Sequence, residues 1–410
     1  MNAIINNFDD LDRFFLALIL IIGITNLIYF IMGKLDKPMV LGGLLAGLII
    51  AHLPLPTKAF DIKSTLNLGD IGIVLYMMLL GFRFDYSQII SNKKSILYSG
   101  VSILVPFIAG CIVAPFLLQF NAGVYDKSTI HFILFIAIAM SVAAFTLISL
   151  FLGHTNLIQS RIGKIALLCA SVDELFFWIM SGTALLYIQK DPNVQIMESI
   201  AMVLYVVFII LLKYNIDKIV NRINSRKVMM GFIICGCFSS AVFADFADLH
   251  PMFGAFIFGL MLPRNNIYIE DIRIQIDEFI NLVLLPIYFV KTGLNANLHY
   301  LLEPEILIAG VGLTIVAIAS KFLGAFLTGK LFGYNNAKSS FLGSILNFRG
   351  MLEIAIINIG YNELGVISEK VYTILLIMSM ISTYFATNAS LRLAKYVSRN
   401  TKLIPVENSN

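Results

Sequence analysis

Charge is what this sequence has little of. Asp, Glu, Lys and Arg make up 13% of its 410 residues, about half the share usual in soluble domains. Hydrophobic residues reach 59%, which excludes an ordinary soluble fold. Cysteine is also sparse: Cys111, Cys169, Cys235 and Cys237 all lie in apolar runs. They form neither a disulfide framework nor a zinc spacing, so buried packing is their expected role. The N-terminus has no basic region and no small-residue cleavage site, and carries Asp9, Asp10 and Asp12 instead. Its first apolar run is therefore expected to be a retained helix and not a signal peptide. About fifteen residues follow Lys395, too few to bury a core of their own.

What is present is a series of apolar windows. Thirteen candidate membrane spans cover roughly 14–32, 38–51, 71–82, 95–120, 130–152, 165–188, 196–212, 228–244, 252–262, 279–289, 306–327, 339–359 and 372–391. Several fall short of the roughly 20 residues of a straight crossing, so their ends are expected to extend into polar flanks. Counted over alternate connections, 20 of the 29 Lys and Arg residues fall on one side and 7 on the other. Lys321 and Arg349 are the two inside spans. The positive-inside rule then places the N-terminus outside and the C-terminus in the cytoplasm, in a bacterial inner (plasma) membrane. Thirteen spans divide as six, a linker and six. The odd offset gives the halves opposite topology, an inverted repeat of the kind found in secondary transporters.

The scarce charges become informative where they fall inside spans. Asp173 and Glu174, in Ala170-Ser171-Val172-Asp173-Glu174-Leu175-Phe176-Phe177-Trp178, lie deep in the sixth window. Eight residues of helix are about 12 Å, well into a hydrocarbon core about 30 Å thick. Carboxylates there are costly and mark ion or proton pathways unless they merely cap a misplaced boundary. Neighbours on a helix point about 100° apart, so one can face a cavity while the other faces a packed helix. A carboxylate that holds either a proton or a cation, never both, can couple their movements.

Lys321, in span 11, is the expected charge partner of that pair; snorkelling to the interface is its alternative. Arg349 and Glu353, four residues apart in span 12, can pair across one helical turn. The Arg349-Gly350 step also permits a break lined by a fixed cation, and a structural role for Arg349 comes first. Span 5 has no charged residue but holds Ser141, Thr146 and Ser149 around Ala143-Ala144; hydroxyls can back-bond to a helix or stabilise a break. Gly254 to Gly259 offers small residues for close helix contact. His250, Asp245 and Asp248 are expected in a solvated loop, with a cation-attracting funnel as the sharper alternative.

These residues resemble, over nearly the whole chain, the monovalent cation:proton antiporter-2 family, the Kef-type Na⁺/H⁺ or K⁺/H⁺ exchangers. The likeness runs through Lys37-Pro38-Met39-Val40 with Gly47, Leu80-Gly81-Phe82-Arg83-Phe84-Asp85, and Ser141-Val142-Ala143-Ala144-Phe145. It continues with Ala170 to Trp178, His250 to Arg264, Leu285-Pro286-Ile287-Tyr288-Phe289, Gly293-Leu294, Lys321, Gly333, Asn347 to Gly350, and Glu353. Each motif is short; their order and spacing carry the resemblance. It implies an all-α membrane protein whose core (94–190 and 303–397) moves against a scaffold (1–93 and 226–302). A linker helix (191–225) joins the halves, and a tail (398–410) follows. Spans 5 and 12 would be discontinuous helices crossing near the ion site, and the scaffold would form a homodimer.

By motif position, the resemblance makes Glu174 the carrier of cation and proton and Asp173 its companion. Together they form the site of the transported monovalent cation. Lys321 resembles the lysine that pairs with that Asp in charge-moving members, and Ser141, Ala143, Thr146, Arg349 and Glu353 would line or support the site. Two departures stand out. The family's main carboxylate is usually Asp, and Ala143 and Thr146 replace the Thr and Pro of a usual Ser-x-Thr-Ala-Phe-Pro motif. The nucleotide-sensing domain of many relatives is not expected here. The leading function is exchange of Na⁺ or K⁺ for H⁺. A passive cation channel, a non-transporting sensor and an organic-anion transporter are the other readings, the last disfavoured by the paired carboxylates. No enzymatic activity, cofactor or nucleic-acid partner is expected.

Overall fold

The computed structural model describes residues 9–34, 39–52, 62–83, 93–122, 124, 129–186, 192–247, 249–264, 266–296 and 298–399. Lys37, Pro38, Phe84, Asp85, Asp248 and the tail from residue 400 lie outside them. Helix is the only regular secondary structure among the described residues, with no strand among them. In order the helices are α1 (Asp10–Lys34), α2 (Met39–His52), α3 (Ile62–Arg83) and α4 (Lys93–Leu117). Next come α5 (Thr129–Ser141), α6 (Phe145–His154), α7 (Arg161–Leu186) and α8 (Pro192–Arg222). They are followed by α9 (Arg226–Phe246), α10 (Pro251–Met261), α11 (Ile267–Phe279) and α12 (Leu285–Asn295). The last are α13 (Pro304–Leu331), α14 (Asn336–Ile345), α15 (Met351–Asn358) and α16 (Glu369–Arg399).

Among the described residues helix is present in each of the thirteen apolar windows, and eight stretches are long and apolar enough to cross a membrane. Those eight do not include the shorter α2 and α10. Exposed Leu, Ile, Val and Phe side chains on α1, α4, α8 and α13 suit a surface solvated by lipid. The tenth window is longer than expected: α11 runs through a π-turn at Ile280–Leu284 into α12. The cysteine expectation holds only in part. Cys169 and Cys237 are buried, Cys111 is half-buried and Cys235 is exposed, which an apolar run permits when one helix face meets lipid.

The chain packs as two compact units. One comprises residues 1–31, 43–85 and 181–294; the other comprises 32–42, 86–180 and 295–410. In the first unit the small residues work as expected, letting α10 lie against α3. A Cβ on Gly259 would sit 1.9 Å from the Met78 carbonyl oxygen, and one on Gly81 would sit 2.1 Å from the Phe256 carbonyl oxygen. His250 belongs to structure more than to solvent: its Nδ1 accepts from the Met252 amide at 3.2 Å and caps α10, with Pro251 in the first turn.

In the second unit, a tight reversal joins α13 to α14. Gly333 adopts φ 78°, and the Tyr334 amide donates to the Gly329 carbonyl at 3.0 Å, closing a Schellman-type end. Asn335 then caps α14 by accepting from the Lys338 amide at 3.0 Å. This reversal brings the polar residues of α13 and the end of α14 into one unit.

The close α3–α10 contact predicts an asymmetry between two glycines. Gly259→Ala should cost about 1–3 kcal/mol through overpacking, read as a lower thermal midpoint in detergent. Gly312→Ala, with nothing within 4 Å of the added Cβ, should leave the midpoint unchanged or raise it.

Candidate functional site

The site is built where two helices stop. α5 ends at Ser141 and α6 begins at Phe145, leaving Val142, Ala143 and Ala144 non-helical. α14 ends at Ile345 and α15 begins at Met351, with Phe348, Arg349 and Gly350 non-helical between them. The two breaks meet: the Ala144 amide donates to the Phe348 carbonyl at 2.9 Å. Gly350 has φ −142°, which any residue can adopt, so glycine is required there by proximity. A Cβ at Gly350 would fall 2.6 Å from that of Ala144. Missing the motif's proline therefore does not keep span 5 continuous. Thr146 lies within α6, and the break needs no helix breaker in sequence.

What stabilises the break is cation capping of α5. A helix end leaves carbonyls without intrahelical partners, and in hydrocarbon each must be satisfied by protein. Arg349 Nη1 donates to Ala139 O at 3.0 Å and Val142 O at 2.7 Å; Nη2 donates to Met140 O at 2.7 Å. Lys321 Nζ donates to Ser141 O at 2.5 Å. Both cations also meet the negative end of the α5 dipole. The Ser141 hydroxyl itself bonds back to Ala137 O at 2.6 Å, and Ala143 is buried in the break.

Lys321 reaches the acidic pair instead of snorkelling. Its Nζ lies 2.5 Å from Asp173 Oδ2 and 3.2 Å from Ser102 O, and neither Lys321 nor Asp173 is exposed. Ser102 Oγ lies 3.4 Å from Asp173 Oδ1. Glu174 is buried too, pointing differently: its carboxylate accepts from the Phe145 amide at the N-terminus of α6, and Oε2 has no hydrogen-bond partner. No described residue forms a salt bridge to it. The positive end of a half-helix is a favourable seat for that charge.

Arg349 and Glu353 form the second ion pair, with Nε 3.7 Å from Oε2. This is longer than a hydrogen bond, because the guanidinium is committed to the α5 carbonyls. Ser379 Oγ is 3.4 Å from the same Glu353 oxygen. Thr383 fixes the non-helical Arg349 backbone in both directions. Its hydroxyl accepts from the Arg349 amide at 3.0 Å and donates to the Arg349 carbonyl at 2.9 Å.

Ser102, Ser379 and Thr383 are the polar residues that sequence reasoning missed. Hydroxyls scattered along apolar helices give no pattern of their own; spacing from the charged residues on other helices becomes visible only in space. Among the described residues no group of three or more His, Cys, Asp or Glu is arranged to hold a resident metal ion. The chemistry on offer is one carboxylate without a basic partner among the described residues, beside two ion pairs.

The Thr383 clamp predicts a specific cost. Thr383→Val keeps the shape but strands a backbone amide and carbonyl, so it should lower stability by about 2–4 kcal/mol. Thr383→Ser should recover most of it, with thermal unfolding in detergent as the measurement.

The family described as "Sodium/hydrogen exchanger, transmembrane" matches residues 16–390. The chain is 30% identical over 383 residues to the Na(+)/H(+) antiporter NhaS4 of Synechocystis sp., covering 89% of this chain and 93% of that protein. It is 28% identical to K(+)/H(+) antiporter 1 of Saccharomyces cerevisiae, across 93% of this chain and 46% of that protein. It is also 24% identical to Cation/H(+) antiporter 15 of Arabidopsis thaliana, across 91% and 47%. The chain thus spans nearly all of the cyanobacterial relative and about half of the yeast and plant ones. Among solved structures, the sodium proton antiporter MjNhaP1 from Methanocaldococcus jannaschii matches at a TM-score of 0.67. That match covers 93% of this chain and 96% of that one, at 16% identity, which establishes a shared fold.

Proposed function

Because the chain belongs to the sodium/hydrogen exchanger family of membrane transporters, we propose that it exchanges Na⁺ or K⁺ for H⁺ by alternating access. Glu174 takes the cation or the proton in turn. The observation that carries this reading is the seat of Glu174: a buried carboxylate with an unpartnered oxygen. Asp173 is held by Lys321 and is not free to release its charge, so it serves as the polar neighbour that keeps the site hydrated and acidic. Ser141, Ala143 and Thr146 shape the break around it, and Arg349 with Glu353 supports the crossing. A monovalent cation suits one uncompensated carboxylate beside backbone carbonyls. An organic anion does not suit a site whose accessible charge is negative, and no observation favours a channel or a non-transporting sensor.

The finer architecture belongs to the same proposal. Thirteen spans in two inverted six-helix repeats accord with helix in every apolar window. The basic-residue asymmetry supports an external N-terminus and a cytoplasmic C-terminus in the plasma membrane. Residues 94–190 and 303–397 serve as the moving core. Residues 1–93 and 226–302 serve as the scaffold that pairs with a second copy, with 191–225 as linker. Na⁺ and K⁺ each appear among the names of the relatives, so both are candidates.

Two measurements test these statements. In everted vesicles or proteoliposomes, Glu174→Gln should abolish cation-driven proton flux while the protein still inserts. Glu174→Asp, keeping the charge on a shorter stem, should retain part of the flux with altered cation affinity. Full exchange by Glu174→Gln would sink the assignment. For orientation, a cysteine at Asp9 should react with an impermeant thiol reagent from outside and one at Ser225 only from the cytoplasm; the reverse pattern overturns the topology.

A further inference from the structure

Positive charge without a counter-ion gathers at one end of the unit that contains residues 86–180 and 295–410. Arg161 and Lys164 stand in the first turn of α7, Lys330 in the last turn of α13, and Lys338 in the first turn of α14. The stretches 127–172 and 306–352 hold no Asp or Glu. Among the described residues no salt bridge reaches any of the four cations.

Two of these cations converge on one ring. Arg161 Cζ lies 5.9 Å and Lys338 Nζ 5.8 Å from the centre of the Tyr334 ring. The reversal at Gly333 puts Tyr334 there, and Lys330 is drawn to the same turn by its hydrogen bond to the Asn336 side chain. The Tyr334 hydroxyl is shut off from solvent and has no hydrogen-bond partner. Burial pushes it up to about 12, so it remains an O–H donor.

The arrangement is electrostatically one-sided. A cation in the first turn of a helix meets the positive end of its dipole, and three of the four do so. A ring face attracts one cation; a second beside it repels the first. The positive-inside rule accounts for the number of basic residues at such an end. It does not account for two of them, from helices far apart in sequence, meeting on a tyrosine whose hydroxyl is left over. An anion with several acceptor oxygens satisfies all three groups: the Arg161 fork, the Lys338 point charge and the Tyr334 donor.

We propose that Arg161, Lys338 and Tyr334, with Lys164 and Lys330 at the rim, form a binding site for the phosphate of an anionic lipid headgroup. Place and shape decide for a lipid over a soluble anion. The family is one of transmembrane proteins, and basic pockets between membrane helices take anionic headgroups. Leu323, Leu327 and Leu331, spaced one turn apart on α13, are all exposed and run to the turn that carries Lys330. They offer an acyl chain a path that ends at the cations. The site uses none of the residues around Glu174 and stands without the exchange reading; the proposed topology serves only to assign it to the cytoplasmic leaflet.

The test is binding of radiolabelled dioleoylphosphatidylglycerol to the full chain immobilised in micelles of a neutral detergent. Unlabelled phosphatidylglycerol should compete at least about tenfold better than dioleoylphosphatidylcholine or inorganic phosphate. Arg161→Gln with Lys338→Gln should weaken binding by about tenfold to thirtyfold. Tyr334→Phe, which keeps the ring and removes the donor, should weaken it by about threefold to tenfold. Lys218→Gln with Arg222→Gln removes the same charge from exposed positions on α8 and should stay within about twofold of the unmodified protein. Equal competition by phosphatidylcholine overturns the proposal. Equal competition by inorganic phosphate also overturns it and assigns the cations to a soluble anion. So does a double variant at Arg161 and Lys338 that loses no more than the α8 control. Where that double variant does not fold, Tyr334→Phe decides, and unchanged affinity there overturns the site.

Discussion

The free end of α5 is the constraint on which the rest of the site depends. A helix stopped in the middle of an apolar unit exposes backbone carbonyls that neither water nor lipid can satisfy. Arg349 and Lys321 answer four of them, at Ala139, Met140, Ser141 and Val142. Bringing two cations to that end creates the next requirement, because buried cations need counter-charges. Asp173 and Glu353 supply them from α7 and α15. The ion pairs are thus consequences of a broken backbone, and the break is held open by the charges that it recruits.

The opposing half-helix completes the electrostatics. Only three residues separate the end of α5 from the start of α6, so the positive end of α6 lies close to the negative end of α5. Glu174 takes its hydrogen bond at that positive end. A carboxylate held by a dipole and one amide is stabilised less than one held by a full cation such as Lys321. Asp173 and Glu174 are adjacent in sequence yet chemically distinct for this reason. Pointing about 100° apart on α7, one meets an ammonium and the other a helix N-terminus with an oxygen to spare.

The parts of this that were legible in sequence are the parts that break composition rules. Asp173, Glu174, Lys321, Arg349 and Glu353 are conspicuous because charge inside an apolar window is expensive, and the structure gathers them into one unit. The unit divisions and short helices were less legible: the long α11–α12 element hides in a window that hydropathy reads as ending at residue 289. The break in span 5 was expected from the family resemblance and not from the local sequence, for a definite reason. Its sequence lacks proline, yet the instruction to break resides in Arg349 and Thr383, more than two hundred residues away. Local propensity cannot report a tertiary cap. Ser102 and Ser379 were invisible for the related reason that a hydroxyl can always satisfy itself on its own helix.

Glu353 illustrates how one separation decides between roles. An Arg and Glu four residues apart on a helix read as an ordinary pair, and in water such a pair contributes little. Here Arg349 is drawn to the α5 carbonyls, which leaves Glu353 at 3.7 Å with its Oε1 unpartnered. The pair is therefore poor as a hydrogen bond and retains its value as charge balance, since Coulomb attraction in a low dielectric falls only with the first power of distance. A residue kept for its hydrogen bonds would sit closer. One that neutralises Arg349 while leaving the guanidinium on the broken helix has to sit about where Glu353 does, in the first turn of α15 and behind the break.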